Sequence, residues 1–326
     1  PRVEDLAIEG RGLSVKGALT LAPKRQGLRS ARLSKVRLSD ENDFSAEIGV
    51  GGEGTDIAIN GKSFDARPLI RAMFGSRNRS EAEVQTPKPA KGEKPVRITL
   101  AIDKLYANRG EIINRVSGSL SARGPVLEQA EISGTFLSGQ PVVFRVTPVE
   151  GGREMRLNGR DGGATIRAAN LYSKVAGGQI EFYALLAPDG SVTKGKLVLR
   201  NFEVRNEAAL AELDSRGKPK RDGPRREALS FSKLTLPFTS DSRFIRIGES
   251  LVRGPELGAS AQGIIRKSDG AIDITGTIIP AYALNAALGD IPLVGDILTG
   301  GKGQGIIGVT FALGGTVDKP AFQMNP

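Results

Sequence analysis

The chain has no cysteine, no histidine and no tryptophan. Without the first two there can be no thiolate nucleophile, no disulfide, no zinc site built on Cys or His, no Ser-His-Asp triad and no imidazole acid-base chemistry. Any catalysis would fall to carboxylate, Lys, Ser/Thr or Tyr groups. A cysteine-free chain suits reducing and oxidising compartments alike, so redox chemistry does not choose between cytosol and periplasm. Aromatic residues make up only 5% of the 326 residues. The sequence has no apolar run of about 18 residues to span a membrane as a helix, and its first residues lack the layout of a signal peptide. Pro1-Arg-Val-Glu-Asp-Leu6 reads instead as the middle of a β-region, the expectation for a piece of a longer protein.

What the chain has in quantity is glycine (42), proline (18) and positive charge, a formal net +10. The first two signal many turns. The charge predicts attraction to something anionic: nucleic acid, a membrane surface or acidic head groups. Much of it lies in two stretches that read as loops, Arg77 to Lys94 and Asp214 to Glu227, and solvated loops are the plainer account of both. The second contains no Phe, Tyr or Trp, so the stacking platform of a single-strand binder is missing and no nucleic acid is expected.

The dominant period is two. Val96, Ile98, Leu100 and Ile102 alternate with Arg97, Thr99, Ala101 and Asp103, the pattern of a half-buried strand. The alternation returns around Ala130–Phe136, Val142–Val146, Ile180–Leu186, Leu197–Leu199, Leu234–Phe238 and Ile272–Ile278. Ala187-Pro-Asp-Gly190 and Lys267-Ser-Asp-Gly270 supply the Asp-Gly pairs of tight hairpins, which predicts a mostly antiparallel sheet. Short helices are predicted after Asp65 up to Gly75, from Asn206 to Leu213, and from Asn170 to Ala176 before Gly177-Gly178. Each is too short to stand alone and must dock on the sheet.

The resulting organisation is a β-region ending in a helix over 1–76, a Pro/Lys-rich linker or loop over 77–95, a second β-region with short helices over 96–213, a basic loop over 214–227 and a C-terminal β-region over 228–326.

Gly303-Gln-Gly305-Ile-Ile-Gly308 spells the dinucleotide fingerprint G-x-G-x-x-G. That loop works only when a strand leads in and a helix leads out, with an acidic residue about 20 positions further on. Here a helical stretch, Leu293 to Thr299, leads in and a strand pattern, Val309 to Leu313, leads out; Asp318 comes too early. A P-loop reading fails because Asp296 stands where its first Gly belongs and Gly303 replaces the Mg²⁺-binding Ser/Thr. No nucleotide or other cofactor is expected. The carboxylate pairs Glu128/Glu131 and Asp269/Asp273 read as solvent-facing strand charges rather than an acid-base pair. The chain is therefore read as a non-enzyme, with no catalytic and no metal site.

Pro280 to Gly289 and Ile291 to Leu298 are predicted to form two short apolar helices joined at Asp290, a helical hairpin over 280–299. Its apolar positions are Tyr282, Leu284, Leu288, Ile291, Leu293, Val294, Ile297 and Leu298, and only Asp290 and Asp296 are charged. It either plugs one end of the β-body as a core cap or touches membrane or lipid there.

Gly276-Thr-Ile-Ile-Pro-Ala-Tyr-Ala-Leu-Asn-Ala-Ala-Leu-Gly-Asp-Ile-Pro-Leu-Val-Gly-Asp-Ile-Leu-Thr-Gly-Gly-Lys-Gly-Gln-Gly305, running on through Val309 to Pro320, resembles the C-terminal region of the AsmA-like proteins. The resemblance is to the YhdP-type branch, of which TamB is a more distant relative, and it is specific over residues 228–326. Gly163 to Gly178 and Asn201 to Leu210 resemble the preceding part of that branch; residues 1–95 do so only loosely, through Gly61 to Pro68. The resemblance implies a Gram-negative envelope protein, anchored in the inner membrane and reaching across the periplasm towards the outer membrane, which moves phospholipid and maintains the outer membrane. Against that pattern, the sequence is expected to be an excised C-terminal piece, without the anchor and ending at Asn325-Pro326 where relatives continue.

The fold implied is mainly β: an elongated, curved, mostly antiparallel sheet, groove-like or taco-like, with a few short helices and the C-terminal apolar hairpin. Candidate lining residues for phospholipid acyl chains are Ile98, Leu100, Ile102, Ile180, Phe182, Leu197, Leu199, Leu236, Phe238, Ile272 and Ile274, with ordinary sandwich or barrel core as the competing account. Partners would be acyl chains and the outer-membrane surface or envelope proteins. The alternative function is a structural or protein-interaction module of the envelope, an assembly scaffold with no lipid path.

Overall fold

The structure is a computed structural model that describes residues 1–23, 27–74, 92–205, 228–280, 308–317 and 319–324. The described residues divide into two compact units, the first of residues 1–74, 92–173 and 183–191, the second of 174–182 and those from 192 onward.

The first unit contains β1 (Arg2–Gly10), β2 (Leu13–Leu21), β3 (Leu28–Ser39), β4 (Asn42–Gly51), β5 (Gly54–Asp65), α1 (Arg67–Phe74), β6 (Val96–Tyr106), a 3-10 turn (Asn108–Gly110), β7 (Ile112–Arg123), β8 (Val126–Phe136), β9 (Pro141–Val149), β10 (Gly152–Gly159), α2 (Gly162–Ala168) and the end of β11 (Val175–Leu186). The second contains the start of β11, then β12 (Val192–Arg205), β13 (Ala228–Ser240), β14 (Phe244–Arg253), β15 (Leu257–Arg266), β16 (Ile272–Pro280), β17 (Val309–Gly315) and β18 (Pro320–Met324). The fold is mainly β, as the period-two pattern predicts.

From β1 to β10, and again from β12 to β18, each strand pairs with the next in the chain. Within each unit the ladder is open rather than closed into a barrel. All of these pairs are antiparallel except β5 with β6, whose connection carries α1. A parallel neighbour requires such a crossover, whereas the antiparallel pairs are joined mostly by short turns. Both Asp-Gly turns form as predicted: Gly190 and Gly270 take φ of 88° and 70°, and the Asp189 and Asp269 carboxylates accept the backbone N–H of Ser191 and Ala271.

The helix after Asp65 forms as α1, with the Asp65 carboxylate accepting the Arg67 N–H at 3.0 Å. The helix predicted over Asn170 to Ala176 does not form. α2 lies earlier, at Gly162–Ala168, capped by Asp161, whose Oδ1 accepts the Ala164 N–H at 2.9 Å. Asn170 ends this helix rather than starting one. It takes φ of 58°, its N–H goes to Arg167 O and that of Leu171 goes to Ile166 O, which is the Schellman closure with Asn in the left-handed position. β11 has already begun at Val175, and Gly177 and Gly178 sit within it. The predicted helix over 206–213, the basic loop 214–227 and the hairpin 280–299 with Tyr282 to Leu298 lie outside the described residues, apart from the backbone of Pro280, which ends β16.

Candidate functional site

In the first unit, residues that face each other across neighbouring strands share one side of the sheet, and those on one side are apolar. One row runs Leu19, Ala31, Ile48, Ile57, Ile98, Leu120, Ala130, Val146 and Met155 from β2 to β10. The adjacent row runs Leu33, Ala46, Ile59, Leu100, Gly118, Ile132, Phe144 and Leu157 from β3 to β10. Gly118 interrupts it because a Cβ there would lie 2.0 Å from Glu131 O. The other side carries Arg32, Glu47, Ala58, Thr99, Ser119, Glu131, Arg145 and Arg156 in corresponding register.

These apolar rows are largely not sealed. Ile48, Ile57, Ile59, Ile98, Leu100, Leu120, Ile132 and Phe144 are only half-buried although they lie on interior strands of the ladder. A sheet packed against a second layer buries such side chains almost completely. Leu199 and Val146 are the largest side chains that are essentially fully buried among the described residues. The rows are closed at one end of the strands, where Phe136, Val142 and Ala107 pack with Ala164 and Ala168 of α2, flanked by Ile70 of α1 and by Leu105, Ile113 and Leu157. Asn108 of the 3-10 turn is buried there and donates to Ala168 O at 3.0 Å.

The second unit repeats the one-sidedness. Leu199, Leu234, Val252, Ala259, Ile278 and Val309 stand opposite one another in turn, as do Phe238, Ile247, Gly263, Ile274, Leu313 and Phe322. Phe182 stacks on Phe238 with ring centroids 6.0 Å apart. Of the sequence-predicted lining residues, Ile98, Leu100 and Ile102 share the first unit's apolar side. Leu197 and Leu236 face each other in the second unit, Phe182 joins Phe238 there, and Ile272 and Ile274 share one side of β16. Ile102, Ile180, Leu199 and Ile274 are buried; the other seven are half-buried.

Four carboxylates of the polar side are held by arginines. Glu47 pairs with Arg32 at 3.0 Å, Asp56 with Arg97 at 2.6 Å, Glu131 with Arg145 at 2.8 Å, and Glu154 with Arg156. The Arg97 guanidinium holds the Asp56 carboxyl below its ordinary range. A depression of about 510 Å³ opens on this side among Thr20, Ser30, Arg32, Glu47, Asp56 and Arg97. Both of its acids, Glu47 and Asp56, lie within salt-bridge distance of an arginine. Of the carboxylates weighed from sequence, Glu128 pairs with Arg123 at 2.9 Å and Asp269 with Arg266 at 2.9 Å.

Alternation within recognised strands did not single out Arg153. It opens β10 on the same side as Met155 and Leu157, at the end of the strands away from α2, and is 8% exposed. The signal was a charged residue in phase with an apolar row, but only Met155 and Leu157 mark that row in β10, too few for the strand to stand out.

Comparison with protein-family models, with curated proteins and with solved structures finds no match to this chain.

Proposed function

We propose that this chain is a non-enzymatic lipid-binding module whose one-sided apolar sheet holds phospholipid acyl chains. The observation that carries the reading is the half-buried apolar side running from β2 to β10. Moving a diacyl lipid through water exposes about 30 CH₂ groups at about 0.8 kcal/mol each, a barrier of roughly 25 kcal/mol. A continuous apolar face removes much of that barrier while asking for little specificity, which aliphatic rows supply. The resemblance of residues 228–326 to AsmA-like proteins supports the same reading. It would make the chain part of a periplasmic bridge between the two membranes, with the sheet as an elongated, curved groove and the 280–299 hairpin at a lipid or membrane end. A scaffold without a lipid path is the second reading. It is favoured by the positions that are sealed, Val116, Val146 and Phe136 among them.

The test is native mass spectrometry of the purified chain, with phospholipid expected as a bound adduct. Leu100→Asn and Ile132→Asn, which place amides on the open face, are expected to deplete the adduct while the fold persists. A chain that carries no lipid and takes none up from vesicles would sink the proposal in favour of the scaffold.

A further inference from the structure

We propose that Arg153 is the head-group anchor of the first unit: its guanidinium holds the phosphate of a phospholipid whose acyl chains lie on the apolar rows. This rests on the lipid-binding reading above and adds to it a polar end.

Arg153 is placed unlike the other arginines of these strands. The arginines of the polar side, Arg32, Arg97, Arg145 and Arg156, each have a carboxylate beside them. Arg153 projects on the opposite side, in phase with Met155, across from Pro148 and next in register to Val146. It is more than nine-tenths buried, and no carboxylate among the described residues pairs with it. Its Nη2 donates to the carbonyl oxygens of Ala187 at 2.6 Å and Pro188 at 3.2 Å, in the turn that follows β11. Its Nε is buried and donates to no acceptor among the described residues.

A buried charge is strongly unfavourable unless paired, and a buried donor left unmade adds to that cost. Two neutral carbonyls satisfy one nitrogen without cancelling the charge. What completes this site is an anion able to accept from the guanidinium edge, and a phosphate oxygen matches that planar donor set better than a point acceptor does. The anion must also tolerate the apolar rows that begin at Met155, which selects a phosphate carrying hydrocarbon over a freely hydrated ion. The position fits such a ligand, because the helix-capped end holding Phe136 and Val142 lies at the far end of the same strands.

The experiment compares the full chain with Arg153→Met and Arg153→Gln. Binding of phosphatidylglycerol, of diacylglycerol with the same acyl chains, and of inorganic phosphate is measured by native mass spectrometry, and melting is followed without ligand. The unaltered chain is expected to prefer phosphatidylglycerol to diacylglycerol by about tenfold or more, the scale of one charge-assisted hydrogen bond. Both variants are expected to lose that preference while binding diacylglycerol as before, and to melt no lower without lipid because an uncompensated buried charge is gone. A preference that survives in the variants overturns the proposal. So does inorganic phosphate that binds the unaltered chain and blocks no lipid, which would make this a free-phosphate site. Unfolding of both variants would make Arg153 a structural residue and also overturn it. If diacylglycerol fails to bind even the unaltered chain, the lipid-binding reading itself falls.

Discussion

Truncating Leu100 and Val146 to alanine separates an open apolar face from a filled core, because the two residues belong to the same unit and the same apolar side. Val146 is 1% exposed and lies between Ala130 and Met155. Val146→Ala deletes two methyl groups, about 1.6 kcal/mol of transfer at about 0.8 each, and leaves an enclosed cavity, so the expected loss is about 2–3 kcal/mol. Leu100 is half-buried between Ile59 and Gly118, with no side chain on the glycine side. Leu100→Ala deletes three carbons, but these already face water in part and leave no sealed void, so the expected loss is about 1 kcal/mol. The larger deletion should cost less. Leu100→Ser should then cost little more than Leu100→Ala, since no hydroxyl is buried. Urea unfolding of the lipid-free chain measures all three, provided the slope stays constant and only the midpoint moves. A loss of about 3 kcal/mol or more for Leu100→Ala would mean that the face is covered and has no open surface for acyl chains.

Asp161→Ala removes the N-cap of α2 and should cost about 1 kcal/mol, read as a lower melting temperature; no loss would mean that α2 is held by packing alone. Asp65 bridges the end of β5 to α1 through Arg67, whose Nε lies 2.7 Å from Asp65 Oδ1, and Arg67 also holds Glu41. Chiefly through hydrogen bonds, to Arg67 for Asp65 and to Ser39 then Arg67 for Glu41, both carboxyls sit below their ordinary values. A depressed acid contributes stability above its unfolded pKa of about 4 and loses it as pH falls through the folded value. The stability of the first unit should therefore be flat in this respect from pH 7 to 5 and fall below about pH 4, with a smaller fall in Asp65→Asn; an unchanged acid limb in that variant would refute the assignment.

The β architecture was legible because alternation and Asp-Gly turns are local signals, and both persist in the folded chain at Val96–Tyr106 and Ala187–Gly190. α2 was not, because Gly162 and Gly163 open it and mask its helical character, while Asn170 looks like a cap in sequence and is a left-handed terminator in the structure. The parallel pairing of β5 with β6 depends on a crossover that no strand pattern encodes. The apolar sides could be read residue by residue, yet their half-burial could not, since it depends on what the rest of the chain leaves uncovered. Arg153 escaped for a related reason: its burial comes from the turn after β11, more than 30 residues along the chain.

The pairing of each strand with its successor has a consequence for how the protein forms and grows. Most of the ladders join strands linked by a few residues, so closing most of them costs only a short loop. Folding can advance hairpin by hairpin as the polypeptide emerges, without waiting for a distant partner. A gene encoding such a ladder can be lengthened by copying a hairpin, because the added strands find their neighbours beside them and the apolar side simply extends.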